Sequence, residues 1–391
     1  MPHKKGRSIM PKSINSAVEA IELSGIRKFF NLVQDKDDVL SLTIGQPDFT
    51  TPESVKQAAK AALDANKTTY TQNQGLFELR DEVSQYINNT YHTTWTPEQV
   101  LVTVGASQAI DIALRTLLVP GDEVILPSPI YPGYEPLVTL QRASVVEVDT
   151  TPTDFKLTAE ALESAITNKT KVVILPYPSN PTGVTLTKEE LTQIKDVIVK
   201  HDLYLITDEI YSTISFDTPH VSMAIFEELS EQLIVINGLS KSHAMTGFRI
   251  GFLFGPRHLM NQFTKVLQYN VSCATSTSQY AALNAVTEAK DAPLKMREAY
   301  LERRDYVYQR LTAMGLEVVK PGGAFYFMFK LNDPRPSFDL ALDLVDKARV
   351  AFVPGSSFGR YGEGYLRLSY AYSLETLKEG LDRLEQYILQ Q

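Results

Sequence analysis

Leu233-Ile-Val-Ile-Asn-Gly-Leu-Ser-Lys241-Ser-His-Ala-Met-Thr-Gly-Phe-Arg249-Ile-Gly-Phe-Leu-Phe254 holds two short apolar runs around a polar centre. The runs, 233–236 and 250–254, are β-branched and aromatic and bounded by turn residues, so both read as buried strands. Lys241 therefore follows the end of a buried strand, among small residues, with Arg249 further along the same connection. Burial disfavours the charged form of a lysine, and a neutral amine is a nucleophile that forms a Schiff base with a carbonyl. For Lys241 taken alone, a solvated loop lysine is the plainer alternative.

Outward from this stretch, strand-like runs recur at 100–104, 123–126, 144–148, 172–175 and 204–206, with helical patterns at 107–118, 158–166 and 188–200. With the two runs above, that makes seven strands alternating with helices. The pattern predicts an α/β fold with a mostly parallel sheet between helical layers, where ligands bind beyond the carboxyl ends of the strands. Upstream, a polar lead-in precedes an amphipathic helix at 16–33 and a brief strand within 39–49. Thr51-Pro52-Glu53 opens a helix, and apolar residues at 76, 79, 83 and 87 mark another. Beyond 285 the texture changes to a long charged helix (294–314), short strands at 316–319, 324–330, 350–353 and 365–370, and helices at 338–348 and 374–389. The expected organisation is an N-terminal segment (1–44) packing with a small α+β domain (286–391), and a large domain between them (45–285).

The 391 residues, 43% hydrophobic and 21% charged, suffice for such a two-domain core. A net charge of −8 argues against a nucleic-acid partner. Cys273 is the only cysteine, and the six histidines lack metal-ligand spacing, so no metal site is expected. Lys4, Lys5 and Arg7 are followed by no apolar signal core, and no window resembles a membrane span, so a cytoplasmic protein is expected. No GxGxxG follows the first strand, which counts against a nicotinamide enzyme. Gly355-Ser-Ser357-Phe-Gly359 fits GxSxG, but a hydrolase of that kind needs a later histidine, and the last one is His258.

The unusual polar residues gather at strand ends. Gly105-Ala106-Ser107 joins a strand to a helix, where backbone N–H groups and the helix dipole suit a phosphate; a capping serine explains Ser107 equally well. Tyr131 follows the next strand and either covers a flat ligand or fills a turn. Asn180, between prolines, is either a ligand or a turn residue. Asp208, after three apolar residues, must have a partner if buried. Either it is in an ion pair or it keeps a pyridine nitrogen protonated, with Tyr211 within reach of the same ring. An aldehyde at Lys241, a phosphate at Ser107, Ser240 and Arg249, and a ring nitrogen at Asp208 together describe pyridoxal 5′-phosphate.

The motifs IGQPDF, YTQNQGLFELR, GASQAI, PIYPGY, YPSNPTG, DEIY, SKSHAMTGFRIG, GAFY, VPGSSFG and RLSYA occur in this order from Ile44 onward. In this the chain resembles the class I (fold type I) aminotransferases. The resemblance implies that Lys241 tethers the cofactor, Asp208 pairs with its ring nitrogen, and Asn180 and Tyr211 bond its ring oxygen. Tyr131 would stack on the ring, while Ala106, Ser107, Ser240 and Arg249 would bind phosphate. Arg367, with Asn180 and the backbone of Gly45, would grip the substrate α-carboxylate. Tyr70 would reach the phosphate of a neighbouring subunit, implying a homodimer. Some members carry a serine where this chain has Gly238, which shifts the phosphate cup toward Ser240 and Tyr70. An L-amino acid and a 2-oxo acid such as 2-oxoglutarate are the implied substrates. Fragments such as Glu22-Leu-Ser-Gly-Ile-Arg-Lys-Phe29 and Gln268-Tyr-Asn-Val-Ser-Cys273 resemble the branch acting on N-acetyl-L,L-diaminopimelate. Aspartate and aromatic amino-acid transamination, and carbon–sulfur β-elimination, remain open alternatives.

Overall fold

A computed structural model describes residues 12–390 except 35 and 37. Its central sheet has seven strands: β1 (Val100–Thr103), β2 (Glu123–Ser128), β3 (Ser144–Asp149), β4 (Thr170–Leu175), β5 (Tyr204–Asp208), β6 (Leu233–Gly238) and β7 (Gly251–Phe254). They lie in the order β1-β7-β6-β5-β4-β2-β3, and only the pairs made by β7 are antiparallel. Alternate side chains enter separate cores: Val173, Leu205, Val235 and Phe252 on one face, Val172, Ile206, Ile234 and Leu253 on the other. Burial on both faces is why the strands read as unbroken apolar runs.

A third core joins Phe29, Val33 and Leu42 to Tyr300, Phe327, Phe352, Leu368 and Leu381. There Tyr326–Phe329, Val353–Pro354 and Leu366–Ser369 form an antiparallel sheet, and Leu40–Ser41 pairs in parallel with Val350–Ala351. Several sequence expectations change. The expected helix at 16–33 is two, Ser16–Glu19 and Gly25–Val33, the second starting after Ser24. The strand expected within 39–49 shrinks to Leu40–Ser41, since Gly45 and Pro47 leave no further ladder. Of 316–319 only a bridge from Val318 to Phe329 remains. Helices Tyr134–Leu140, Arg257–Val271 and Ser276–Val286 were not expected, although Met260, Phe263 and Leu267 recur at helical spacing in the second. No described helix is long and apolar enough to cross a membrane.

The edge that carries the site is set by close backbone contact. Gly251, the first residue of β7, faces Thr103 and Gly238. A Cβ on it would come within 2.4 Å of the Ala106 nitrogen and the Gly105 carbonyl carbon. Gly105 itself has φ +75°, and a Cβ there would strike the guanidinium of Arg249. Gly251→Ala is expected to push the start of the helix Gly105–Leu117 away from β7. The overpacking should cost about 1–3 kcal/mol, measurable as a lowered unfolding midpoint.

Candidate active site

A cavity of about 420 Å³ opens at the carboxyl edge of the parallel strands. Ala106 and Ser107 enter it after β1, Tyr131 and Tyr134 after β2, Asn180 after β4, Asp208 as the last residue of β5, and Ser240 and Lys241 after β6. Arg249 comes from just before β7, Tyr211 from the turn after Asp208, and Gly45, Tyr326 and Arg367 from outside the central sheet. Every residue that the sequence assigned to the site lines this cavity except Tyr70, which is 85% exposed.

The Lys241 amine donates to the Gly45 carbonyl at 2.5 Å. Burial, reinforced by Arg367 and Arg249 and opposed by Asp208, draws its pKa down to about 8. Asp208 is buried, accepts from the Tyr134 hydroxyl at 2.8 Å and from the backbone N–H of Ile210 at 3.2 Å. Desolvation nevertheless raises its pKa to about 6, helped by neighbouring Glu209. A carboxylate in that state is short of positive charge.

Arg367 is 2% exposed. It donates to Asn180 Oδ1 at 2.9 Å and to the Thr43 carbonyl at 2.6 Å, stacks over Tyr326 and Phe358, and leaves its Nε unbonded. Its described hydrogen-bond partners include no carboxylate, and burial lowers its pKa. Such a guanidinium is a ready receptor for a carboxylate. Arg249 is held by the Thr246 carbonyl at 3.0 Å and lies against Gly105, at the start of a helix whose first turn has no side-chain cap. Cation and free helix N–H groups converge there, an arrangement suited to phosphate. Tyr211 shares a 2.8 Å hydrogen bond with the Tyr326 hydroxyl. Tyr134 and Tyr326 were given no role from sequence. Both sit inside quoted motifs, PIYPGY and GAFY, but nothing in their spacing distinguishes them from packing tyrosines.

The family model for aminotransferase class I and II matches residues 37–384. A probable N-acetyl-LL-diaminopimelate aminotransferase of Bacillus subtilis is 56% identical over 382 residues, covering 97% of each chain. An aromatic-amino-acid aminotransferase of Thermococcus litoralis is 39% identical over 382 residues, covering 96% of this chain and 98% of its own. Among solved structures, the aspartate aminotransferase of Thermus thermophilus with maleate has a TM-score of 0.90 at 36% identity, covering 96% of this chain and 100% of its own. The fold is that of the fold type I transferases that depend on pyridoxal 5′-phosphate. The chain belongs to the class I and II aminotransferases.

The donor set fits that cofactor: an amine with a depressed pKa, a desolvated carboxylate, and a cation at a helix N-terminus. The raised pKa of Asp208 also has a consequence for the cofactor-free protein. Its folded-state value of about 6 exceeds the ordinary 3.8. The favourable contribution is therefore complete below pH 3.8 and lost as pH rises through 6. Cofactor-free Asp208→Asn should be more stable than the parent above pH 6, by on the order of 2–3 kcal/mol, with the margin closing toward pH 4. Thermal unfolding of both proteins across that range measures it.

Proposed function

We propose that the chain transfers the amino group between N-acetyl-L,L-diaminopimelate and 2-oxoglutarate, working as a homodimer. The observation that carries the transaminase assignment is Arg367, a buried guanidinium whose described hydrogen-bond partners include no carboxylate, opening on the same cavity as Lys241. The donor is supported by the 56% identity to the Bacillus subtilis relative of that name. Aspartate and aromatic amino acids are the second reading, supported by the relatives so named.

Pyridoxal 5′-phosphate, when bound, supplies an aldehyde and an electron-withdrawing ring. In this proposal Ala106, Ser107, Ser240 and Arg249 hold its phosphate, Asp208 its ring nitrogen, and Asn180 and Tyr211 its ring oxygen, while Tyr131 covers the ring. Arg367 fixes the α-carboxylate of the amino acid, with Asn180 and the Gly45 backbone at its side. That orients the α-carbon proton toward Lys241, which takes it as general base and later returns a proton as general acid. A pKa of about 8 suits both roles near neutrality.

Tyr70 supports the dimer. Its loop is rigidly built: Gln279 bonds Leu76 N, Thr71 and Ala274, Arg80 bonds the Gly75 and Pro97 carbonyls, and Ser276 bonds the Thr69 carbonyl. Yet the loop leaves the Tyr70 side chain exposed. A second copy that receives Tyr70 at its own phosphate cup accounts for both facts.

A panel of amino donors with 2-oxoglutarate as acceptor tests the substrate. Acylated diaminopimelate should give the highest kcat/KM; higher values with aspartate or phenylalanine favour the second reading, and pyruvate from cystathionine without an acceptor points to β-elimination. Lys241→Ala should retain bound cofactor but lose nearly all turnover. Arg367→Gln should lower kcat/KM on the order of 10²- to 10³-fold, the loss expected when one partner of a buried charge pair is removed, while leaving cofactor affinity close to that of the parent.

A further inference from the structure

Behind Asp208 lies a second buried acid that the proposed chemistry does not use. Glu209 is 2% exposed and lines a separate small cavity with Tyr177 and His220, not the one that Asp208 lines. Its Oε2 lies 3.0 Å from His220 Nε2, and its Oε1 accepts from the hydroxyls of Ser222 at 3.0 Å and Thr207 at 3.2 Å and from the Met223 N–H at 3.3 Å. The imidazole is itself 8% exposed. Tyr91 stands edge-on to it at 5.4 Å, and the other titratable groups of the solvent groove that His220 borders are Glu82, Tyr86, Glu288, Lys290, Asp291 and Arg297. Burial pushes the Tyr91 phenol far up, so it carries no charge, and Arg297 is bonded to the Ser215 and Phe216 carbonyls. Glu209 is the only described carboxylate within ion-pair distance of His220.

We propose that Glu209 and His220 are positioning residues for Asp208, a buried carboxylate–imidazolium pair that cancels the Glu209 charge behind the strand end. Asp208 is then the one uncompensated carboxylate at that end of β5, and the turn carrying Tyr211 is pinned through Glu209. Two adjacent buried carboxylates would otherwise repel each other, and Glu209 does raise the Asp208 pKa. A neutral imidazole would satisfy the hydrogen bond but leave that repulsion in place. The proposal rests on Asp208 acting as the ring-nitrogen partner.

The absorbance titration of the holoenzyme reads the proton on the Lys241 nitrogen once it is joined to the cofactor. Glu209→Gln removes a negative charge and should lower that apparent pKa. His220→Gln removes a positive one and should raise it, each by about half a unit or more, and the double variant should return close to the parent. Shifts in the same direction, or no rise in His220→Gln, overturn the pair. Nitrogen-15 spectra of histidine-labelled parent holoenzyme, with the His220 signals assigned by their loss in His220→Gln, give a test that does not need Glu209→Gln to fold. Both ring nitrogens should be protonated at pH 7, and a neutral ring there overturns the proposal. Asp208→Asn separates the two ideas: if it leaves the titration unchanged, the assignment of Asp208 fails, whatever the state of His220.

Discussion

The connection between β6 and β7 is the constraint on which the site depends. Residues 239–250 make one helical turn, Leu239–Ser242, and a 3-10 turn, Thr246–Phe248, without crossing to the other edge of the sheet. Because β7 runs against its neighbours, its first residue lies at the edge where the parallel strands end. Lys241 and Arg249 are thereby delivered to one rim by a single short excursion. Gly251 then lets β7 press against the backbone of Gly105 and Ala106, bringing the start of the following helix beside Arg249. Amine, cation and helix N-terminus are held by main-chain contact, which yields less readily than side-chain packing.

Burial supplies the chemistry. Water is excluded far enough to draw the Lys241 pKa down to about 8 and push that of Asp208 up to about 6. Each group is in the less comfortable state for an isolated protein and the useful one for a cationic ring and a proton in transit. The apolar sheet faces behind them outweigh the cost, since each large side chain buried there contributes about 1.5–3 kcal/mol. Tyr134 and Tyr326 complete the arrangement by holding Asp208 and Tyr211 in place with hydrogen bonds of 2.8 Å.

The central sheet was legible because its strands are buried on both faces and so appear as compact β-branched runs. The strand ends were legible because polar residues such as Asp208 and Asn180 stand out against those runs. Features set by distant partners were not. The short pairing of Leu40–Ser41 with Val350–Ala351 depends on a segment more than 300 residues away, and the break between Glu19 and Gly25 leaves the apolar periodicity on both sides intact. Tyr134 carried no signal of its own in the sequence because its partner, Asp208, is brought close only by the fold. The contact of Glu209 with His220 was hidden for the same reason, spanning a loop whose path no local pattern specifies.

Arg367 rides on the small antiparallel sheet, while the Asn180 amide to which it donates hangs from the loop after β4, and the Phe358 carbonyl accepts from Ile130 N nearby. The guanidinium itself thus acts as mortar, fastening the small antiparallel sheet to the loop that follows β4.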